Sequence, residues 1–314
     1  MSRRTTVISV IATVVFALLW ALPSLASSFV QSLALTCLMF VGLAVSWTIF
    51  SGPTRYLCLA TSSFFGLGAY FCVWFIDNLP WWLVIIGGAI TAAVFAFFLG
   101  LVVLRLRGAY FAVITFGSSE LVKHSLIMFE KSYAGSVGRV VTAPADESTV
   151  YLTVLLLAVA AIAARLWVGR TLLGRSGAAI GMDEDRVSAI GVDPHWAKLK
   201  LLCISALFAG AIGAAMAVRW TYVEPATVFN PFISFQTVLI AMVGGPASIG
   251  GPVFSAVIFS LLSEFLRLTL PNLYLILLGA LLIVAVLYLP SGIGGLRLRR
   301  RVVAAPLVPA KEPT

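Results

Sequence analysis

Fifty consecutive residues, 5–54, contain no Asp, Glu, Lys or Arg. A helix that crosses a bilayer needs about 20 mostly apolar residues, so this one stretch is long enough for two crossings. Further charge-free stretches lie at 56–76, 78–104, 108–119, 148–164, 201–218, 225–263 and 268–296. The stretch 108–119 is short, but apolar sequence resumes after Glu120 and Lys123 and runs to about residue 129. Allowing two crossings to each of the two longest stretches and one to each of the others gives about ten. The chain is 61% hydrophobic and 11% charged, against roughly 25% charged in soluble domains. An aqueous globule, a disordered chain and a collagen-like repeat are excluded on those figures. The expected fold is an all-α polytopic membrane protein, with a transmembrane domain over 1–296 and a basic tail over 297–314.

Charge placement predicts the orientation. Cytoplasmic segments of membrane proteins carry an excess of Lys and Arg. With the N-terminus inside, segments 1–6, 51–56, 104–108, 165–200 and 290–314 hold 16 of the 21 basic residues, and Lys123, Lys131, Arg139, Arg219 and Arg267 fall outside. Ten crossings with both termini cytoplasmic satisfy that asymmetry; an odd count would export Arg297, Arg299, Arg300 and Arg301. The net charge of +9 therefore reads as membrane orientation, and without a basic stripe carrying interleaved aromatics it does not point to nucleic acid. Arg3-Arg4, the apolar run 7–22 and Ser24-Leu25-Ala26 have the make-up of a signal peptide. The length of that run and the span that follows at once favour an uncleaved first helix.

Motifs for self-contained chemistry do not occur. There is no GxxxxGK[ST], so the chain has no recognisable phosphate-cradling loop for nucleotides. HExxH and GxSxG are also absent, and the two histidines, His124 and His195, stand far apart. Cys37, Cys58, Cys72 and Cys203 lie singly in apolar stretches, with no CxxC, and read as buried free thiols. No metal site and no cofactor is expected on this chain.

Two hydrophilic segments are long enough to act outside the bilayer. The outer one, 130–147, contains Tyr133-Ala134-Gly135-Ser136-Val137-Gly138. The inner one, about 168–200, predicts one short cytoplasmic helix over 176–190: Ala178, Ala179, Met182, Val187, Ala189 and Ile190 recur at helical spacing, and Gly191 and Pro194 end it. Such a helix is marginal alone and needs packing. Within the spans, an ionisable side chain is a functional hypothesis. Glu120 is the best case, with Lys123 and His124 as possible partners; Glu264 and Arg267 are spaced to pair with one another. The small-residue run from Thr61, Ser62 and Ser63 to Gly66 and Gly68 suits close packing or a broken helix. The run 244–252, Gly-Gly-Pro-Ala-Ser-Ile-Gly-Gly-Pro, reads as a tight turn or broken helix.

These blocks, in this order, resemble the permease subunits of branched-chain amino acid ABC importers, the LivM-type branch. Leu59, Phe64, Phe65, Gly66, Gly68, Ala69 and Tyr70 fit the block LSLGHAAFFGIGAY. Leu104-Arg105-Leu106-Arg107-Gly108-Ala109-Tyr110-Phe111-Ala112 is similar to LRLRGxYxA, with Thr115 and Glu120 in place. Gly174-Arg175, Ala179-Ile180, Asp183-Glu184, Ala189 and Gly191 match a cytoplasmic loop pattern, Val243-Gly244-Gly245, Ser248 and Gly251-Pro252 match GGxGTxxGP, and Leu289-Pro290-Ser291-Gly292-Ile293 matches the usual end of the last span. The likeness runs over about 30–295. Cys58, Ala60 and Thr61 stand where Ser, Gly and His are usual, Tyr133 to Gly138 replaces a TGGSDG-like run, Gly181-Met182 replaces an Arg-Glu pair, and Pro246-Ala247 replaces an x-Gly pair.

The resemblance implies a transport subunit, not an enzyme, multi-pass in a bacterial inner membrane. It implies a second homologous permease, two cytoplasmic ATPases that hold the ATP, a periplasmic binding protein and surrounding lipid. The cargo would be branched-chain or related small amino acids, or amide-, urea- or aromatic-acid-like solutes. Gly174, Arg175, Asp183, Glu184, Ala189 and Gly191 would couple to an ATPase, with Asp183 and Glu184 offering carboxylates to its basic groups. Thr61, Ser62, Ser63, Gly66, Tyr110, Thr115, Glu120, Gly244 and Gly245 would lie along the translocation path. The alternative is an ion-coupled secondary transporter or channel with Glu120 as its ion site and no ATPase.

Overall fold

A computed structural model describes residues 18–23, 27–133, 135–141, 146–189, 191–270, 273, 276–277 and 279–280. The order of elements is α1 (Ser28–Thr54), α2 (Thr61–Phe75), α3 (Trp81–Val103), α4 (Ala109–Tyr133), β1 (Arg139–Val140), α5 (Glu147–Arg170), α6 (Leu172–Ile180), α7 (Glu184–Ala189), α8 (Pro194–Ala217), β2 (Tyr222–Val223), α9 (Pro225–Val228), α10 (Pro231–Gly244) and α11 (Gly250–Thr269). Among the described residues six segments are long and apolar enough to cross a membrane: α1, α3, α5, α8, the α9–α10 stretch and α11. The fold is thus a helical, multi-pass one. Of the ten expected crossings, the first of the two in 5–54 and the last, 268–296, fall largely outside the described residues, as does the tail 297–314.

α1 and α8 form the centre. α8 packs on α1, α2, α3 and α5, and α1 also meets α5, α6, α10 and α11. α1, and α8 from Leu201 onward, carry no charged residue and are largely buried, which is the pattern of helices enclosed by their neighbours. The helices approach closely because small residues face one another: a Cβ on Gly68 of α2 would collide with the Gly210 carbonyl of α8, and one on Gly213 with the Phe65 carbonyl. Between membrane helices that contact is made by packing alone, so removing side chains at the seam is what permits it.

Three local expectations are corrected. The stretch 56–76 is not one continuous helix. Arg55 takes a left-handed conformation (φ 60°) at the end of α1, residues 55–60 are not helical, and α2 is a shorter apolar helix of 15 residues. The non-helical backbone is tolerated because its polar groups find partners inside the protein: Trp47 Nε1 donates to Cys58 O at 2.8 Å, and Leu59 N donates to Thr115 Oγ1 at 3.1 Å. The single helix expected over 176–190 is two, α6 and α7, with a break at 181–183. The fold also holds one small antiparallel pair, with Arg139 opposite Val223 and Val140 opposite Tyr222. Of the thiols, Cys58 and Cys72 are buried while Cys37 and Cys203 are only partly so, and all four are free.

Candidate functional site

The α6–α7 ledge is built by capping and glycine contact. Thr171 caps α6, its Oγ1 accepting from Gly174 N at 3.4 Å. A side chain at Gly174 would collide with Val168 O, and one at Gly181 with Pro53 O at the end of α1; the ledge can lie against the bundle only with glycine at both. Asp183 Oδ1 accepts from the backbone N–H groups of Asp185 and Arg186, each at 3.1 Å, and so starts α7. Arg186 Nε lies 2.8 Å from Asp183 Oδ2. Ile180, Val187 and Ala197 form a small apolar cluster beneath the ledge. Gly191 turns the chain in the left-handed region (φ 85°), and Asp193 Oδ1 caps α8 by accepting from His195 N at 2.9 Å.

Glu184 is the pin of this assembly. Its Oε1 lies 2.6 Å from Lys198 Nζ on α8, and its Oε2 accepts from Tyr56 Oη at 2.6 Å. Arg107 Nε stands 3.8 Å from the same carboxylate. Lys198 is 1% exposed; it also donates to Leu104 O at 3.2 Å and to Tyr56 Oη at 3.3 Å, and lies 4.6 Å from the centroid of the Tyr56 ring. Arg107 reaches Asp185 through Nη2 at 2.9 Å and Nη1 at 3.4 Å. One carboxylate therefore joins α7, α8, the α1–α2 connector and the α3–α4 connector. Burial by itself would push the Glu184 carboxyl up; hydrogen bonds from Lys198 and Tyr56, with the charges of Lys198 and Arg107, outweigh it and hold the group below the ordinary carboxylate range. The hydrogen bond from Arg107 likewise holds Asp185 down.

In this placement Asp183 makes its capping bonds and pairs with Arg186 while its side chain stays 40% exposed, and Glu184 is engaged by groups of its own chain. The outward face carries Leu172 (77% exposed) and Met182 (79% exposed), with Arg175, Arg186, Ala189 and Gly191 also exposed. Lys198 and Tyr56 were not among the candidates drawn from the sequence. Nothing in the spacing of residues 14 or 128 positions from Glu184 marks them as its partners.

The candidates for a path divide into separate places. Thr61, Ser62, Ser63 and Thr115 are buried together where α2, α4 and α10 meet. Ser62 N donates to Ser234 Oγ at 2.8 Å, and Ser234 Oγ donates to Ser62 Oγ at 2.9 Å. Ser63 Oγ donates to Ser119 Oγ at 2.8 Å. Gly66 lies against the Phe229 ring. Glu120 sits one residue on from that seam, paired with Lys123 and with His124 Nε2 at 3.6 Å. Tyr110 is 76% exposed near the start of α4. Gly244 and Gly245 lie elsewhere, at the α10–α11 turn: Gly245 has φ 88°, and Gly244 packs on Gly251 and Pro252. Glu264 and Arg267 pair at 3.0 Å, as their spacing predicts. Glu130, assigned by sequence to an exposed connector, is 2% exposed. Its Oε2 accepts from Gly138 N at 2.8 Å and from Tyr70 Oη at 3.4 Å.

Residues 28–286 match the family described as branched-chain amino acid transport system, permease component. The chain is 27% identical to the high-affinity branched-chain amino acid transport system permease protein LivM of Escherichia coli (strain K12), over 90% of this chain and 73% of that protein. It is 26% identical to the protein of the same name from Salmonella typhimurium, with the same coverage. No solved structure matches it. A match over that span, on a helical multi-pass fold, places the chain in one family: it belongs to the permease components of branched-chain amino acid transport systems.

Proposed function

We propose that the chain is a permease subunit of an ATP-binding cassette importer in a bacterial inner membrane, with ten crossings and both ends cytoplasmic. A second permease completes the path, two cytoplasmic ATPases hold and hydrolyse the ATP, and a periplasmic protein delivers cargo: branched-chain amino acids or related small solutes such as amides, urea or aromatic acids. The observation that carries this reading is the α6–α7 ledge. It is folded, pinned by Glu184 to three segments of the bundle, and turns Leu172 and Met182 outward. Exposed apolar residues on a rigid cytoplasmic ledge fit the groove of a protein partner better than they fit water. The many attachments of Glu184 give motion of the ledge a direct route into α8. Gly174, Arg175, Asp183, Glu184, Ala189 and Gly191 act here by shaping and holding the ledge.

The rival, an ion-driven transporter with Glu120 as its ion site, has less support, since Glu120 is already paired with Lys123 and His124. The test is uptake by proteoliposomes. The chain with its second permease, the ATPases and the loaded binding protein accumulates solute only with internal ATP. Accumulation by the chain without any ATPase overturns the reading.

A further inference from the structure

Arg165, on α5, is a cation without a counter-charge. Lys198 is matched by Glu184 and Arg267 by Glu264. Arg165 makes no ion pair among the described residues, and its Nε is enclosed without meeting an acceptor. A guanidinium that simply reached for water would have that nitrogen hydrated. Close neighbours fix its place. A Cβ on Gly52 of α1 would lie 3.3 Å from Arg165 Nη2 and 2.6 Å from Pro246 O in the α10–α11 turn, and one on Gly169 would lie 3.5 Å from Nη1. The guanidinium is thus folded toward the ledge end of α5 and wedged beside α1. Arg165 stands 18 residues beyond Glu147 in a helix long and apolar enough to cross a membrane, or roughly 27 Å along it at about 1.5 Å per residue. That is the edge of a hydrocarbon core about 30 Å thick. Trp167, 65% exposed, lies at the same level, where aromatic side chains gather at membrane–water interfaces. No Asp or Glu occurs between Glu147 and Asp183, whereas Arg170 and Arg175 follow Arg165. Both are exposed, and Arg175 Nη2 turns back to donate to Arg170 O at 3.2 Å. The face of α5 that leads to Arg165 is apolar. α5 and α11 both pack on α1, and the three helices line a cavity of about 830 Å³. On α5 its wall is Leu155, Ala158 and Ile162, and Arg165 is the next residue of that stripe at helical spacing.

We propose that Arg165 holds the phosphate of an anionic phospholipid at the ledge end of α5, with an acyl chain of that lipid in the cavity between α1, α5 and α11. A charge within a span needs a partner, and an apolar slot that ends in an unpaired cation has the same division as a phospholipid. A guanidinium binds phosphate through two parallel N–H bonds, and basic pockets between membrane helices take acidic headgroups. A zwitterionic lipid offers the same phosphate but brings a cation of its own, which Arg170 and Arg175 repel. A soluble protein does not fit the site, because Arg165 lies within a span and the stripe above it is apolar. The lipid contact goes beyond the transport reading and does not depend on it.

The test titrates phosphatidylglycerol or phosphatidylcholine, with the same acyl chains, into the purified full-length protein in detergent, together with any subunits that accompany it. Native mass spectrometry counts the lipid retained. The unsubstituted protein should retain phosphatidylglycerol about tenfold more tightly than phosphatidylcholine. Arg165→Gln should lose that preference and Arg165→Lys should keep part of it. Arg105→Gln, which removes an exposed cation between α3 and α4, should keep all of it. No preference in the unsubstituted protein, or equal retention in R165Q and R105Q, overturns the proposal. Complete displacement of phosphatidylglycerol by inorganic phosphate would mark a site for a free anion and overturns it too. Position is read separately and needs no variant, so it decides if R165Q does not fold. Phosphatidylglycerol with a photoreactive group on its acyl chain should modify the α5 peptide from Leu155 to Arg165, and phosphatidylcholine with the same group about fivefold less. Equal modification by the two lipids, or modification confined to other helices, overturns the proposal. ATP-driven uptake in vesicles keeps the two readings apart: uptake that needs ATP, without a preference for phosphatidylglycerol, sinks the lipid site and leaves the function standing.

Discussion

Glu184 on α7 and Lys198 on α8 form an ion pair 2.6 Å long in which the lysine side chain is 1% exposed and the glutamate side chain 17% exposed. The asymmetry matters. A fully buried ammonium has few alternatives to its partner, whereas the Glu184 carboxylate keeps an open edge and two further donors, Tyr56 and Arg107. Tyr56, Leu104 and Arg107 gather around the same two groups, so the pair joins the ledge to two further parts of the bundle, the α1–α2 and α3–α4 connectors, and is less a surface decoration than a joint.

Removing the acid therefore costs more than removing the base. Glu184→Gln leaves a positive charge in the interior, a change of about 3–5 kcal/mol in comparable buried pairs. Lys198→Met removes the buried charge and leaves Glu184 with Tyr56 and Arg107. Thermal unfolding of the purified protein in detergent should rank the melting temperatures wild type, then K198M, then E184Q, with the double variant above E184Q. A reversed order of the single variants would show that burial of Lys198 does not set the cost.

The same pair predicts a pH dependence. The folded protein holds Glu184 below its ordinary value, which is about 4.3 for a free glutamate. A carboxyl with a depressed folded pKa contributes stability at pH values above its unfolded pKa, and loses it as pH falls through the folded one. The difference in melting temperature between wild type and E184Q should thus be flat from about pH 8 to 5 and shrink below about pH 4. A difference that grows on acidification contradicts the assignment.

Contact with an ATPase should depend on outward residues instead. Met182 is 79% exposed and Leu172 77%, so Met182→Glu and Leu172→Glu should leave the melting temperature of the isolated chain within a degree or two. Both should reduce co-purification of the ATPases by tenfold or more, since each puts a charge into an apolar contact. Retained co-purification in both variants would move the docking surface away from the ledge.

Much of the architecture was legible in charge-free length: 78–104 became Trp81–Val103, and 148–164 became Glu147–Arg170. What failed was local pairing. α8 begins at Pro194, ahead of the charge-free stretch at 201, because Lys198 enters the interior with its charge matched by a residue on another helix. The ledge breaks at 181–183 because Asp183 finds two backbone N–H groups to cap and Gly181 must fit under Pro53 O; apolar spacing alone runs straight through both. Two-residue strands such as Arg139–Val140 carry no periodicity at all. Thr61, Ser62, Ser63 and Thr115 were identified by type, and the structure does gather them. Gly244 and Gly245 were grouped with them by resemblance, but they serve a turn at another place in the fold.

Glu130 shows the same limit at the strand-bearing end of the bundle and offers a last check. It is 2% exposed, and its Oε2 receives both the Gly138 N–H and the Tyr70 hydroxyl, tying the connector before β1 to α2. A buried donor left without an acceptor costs about 1–3 kcal/mol. Glu130→Gln keeps an oxygen in reach of both donors and should preserve most of the stability. Glu130→Leu abandons both, and should lower the melting temperature clearly more than Glu130→Gln does. Amide exchange at Gly138 gives the local readout: it should stay slow in E130Q and accelerate by tenfold or more in E130L. Equal exchange rates in the two variants would mean that the β1–β2 pair, with no help from Glu130, holds the connector in place.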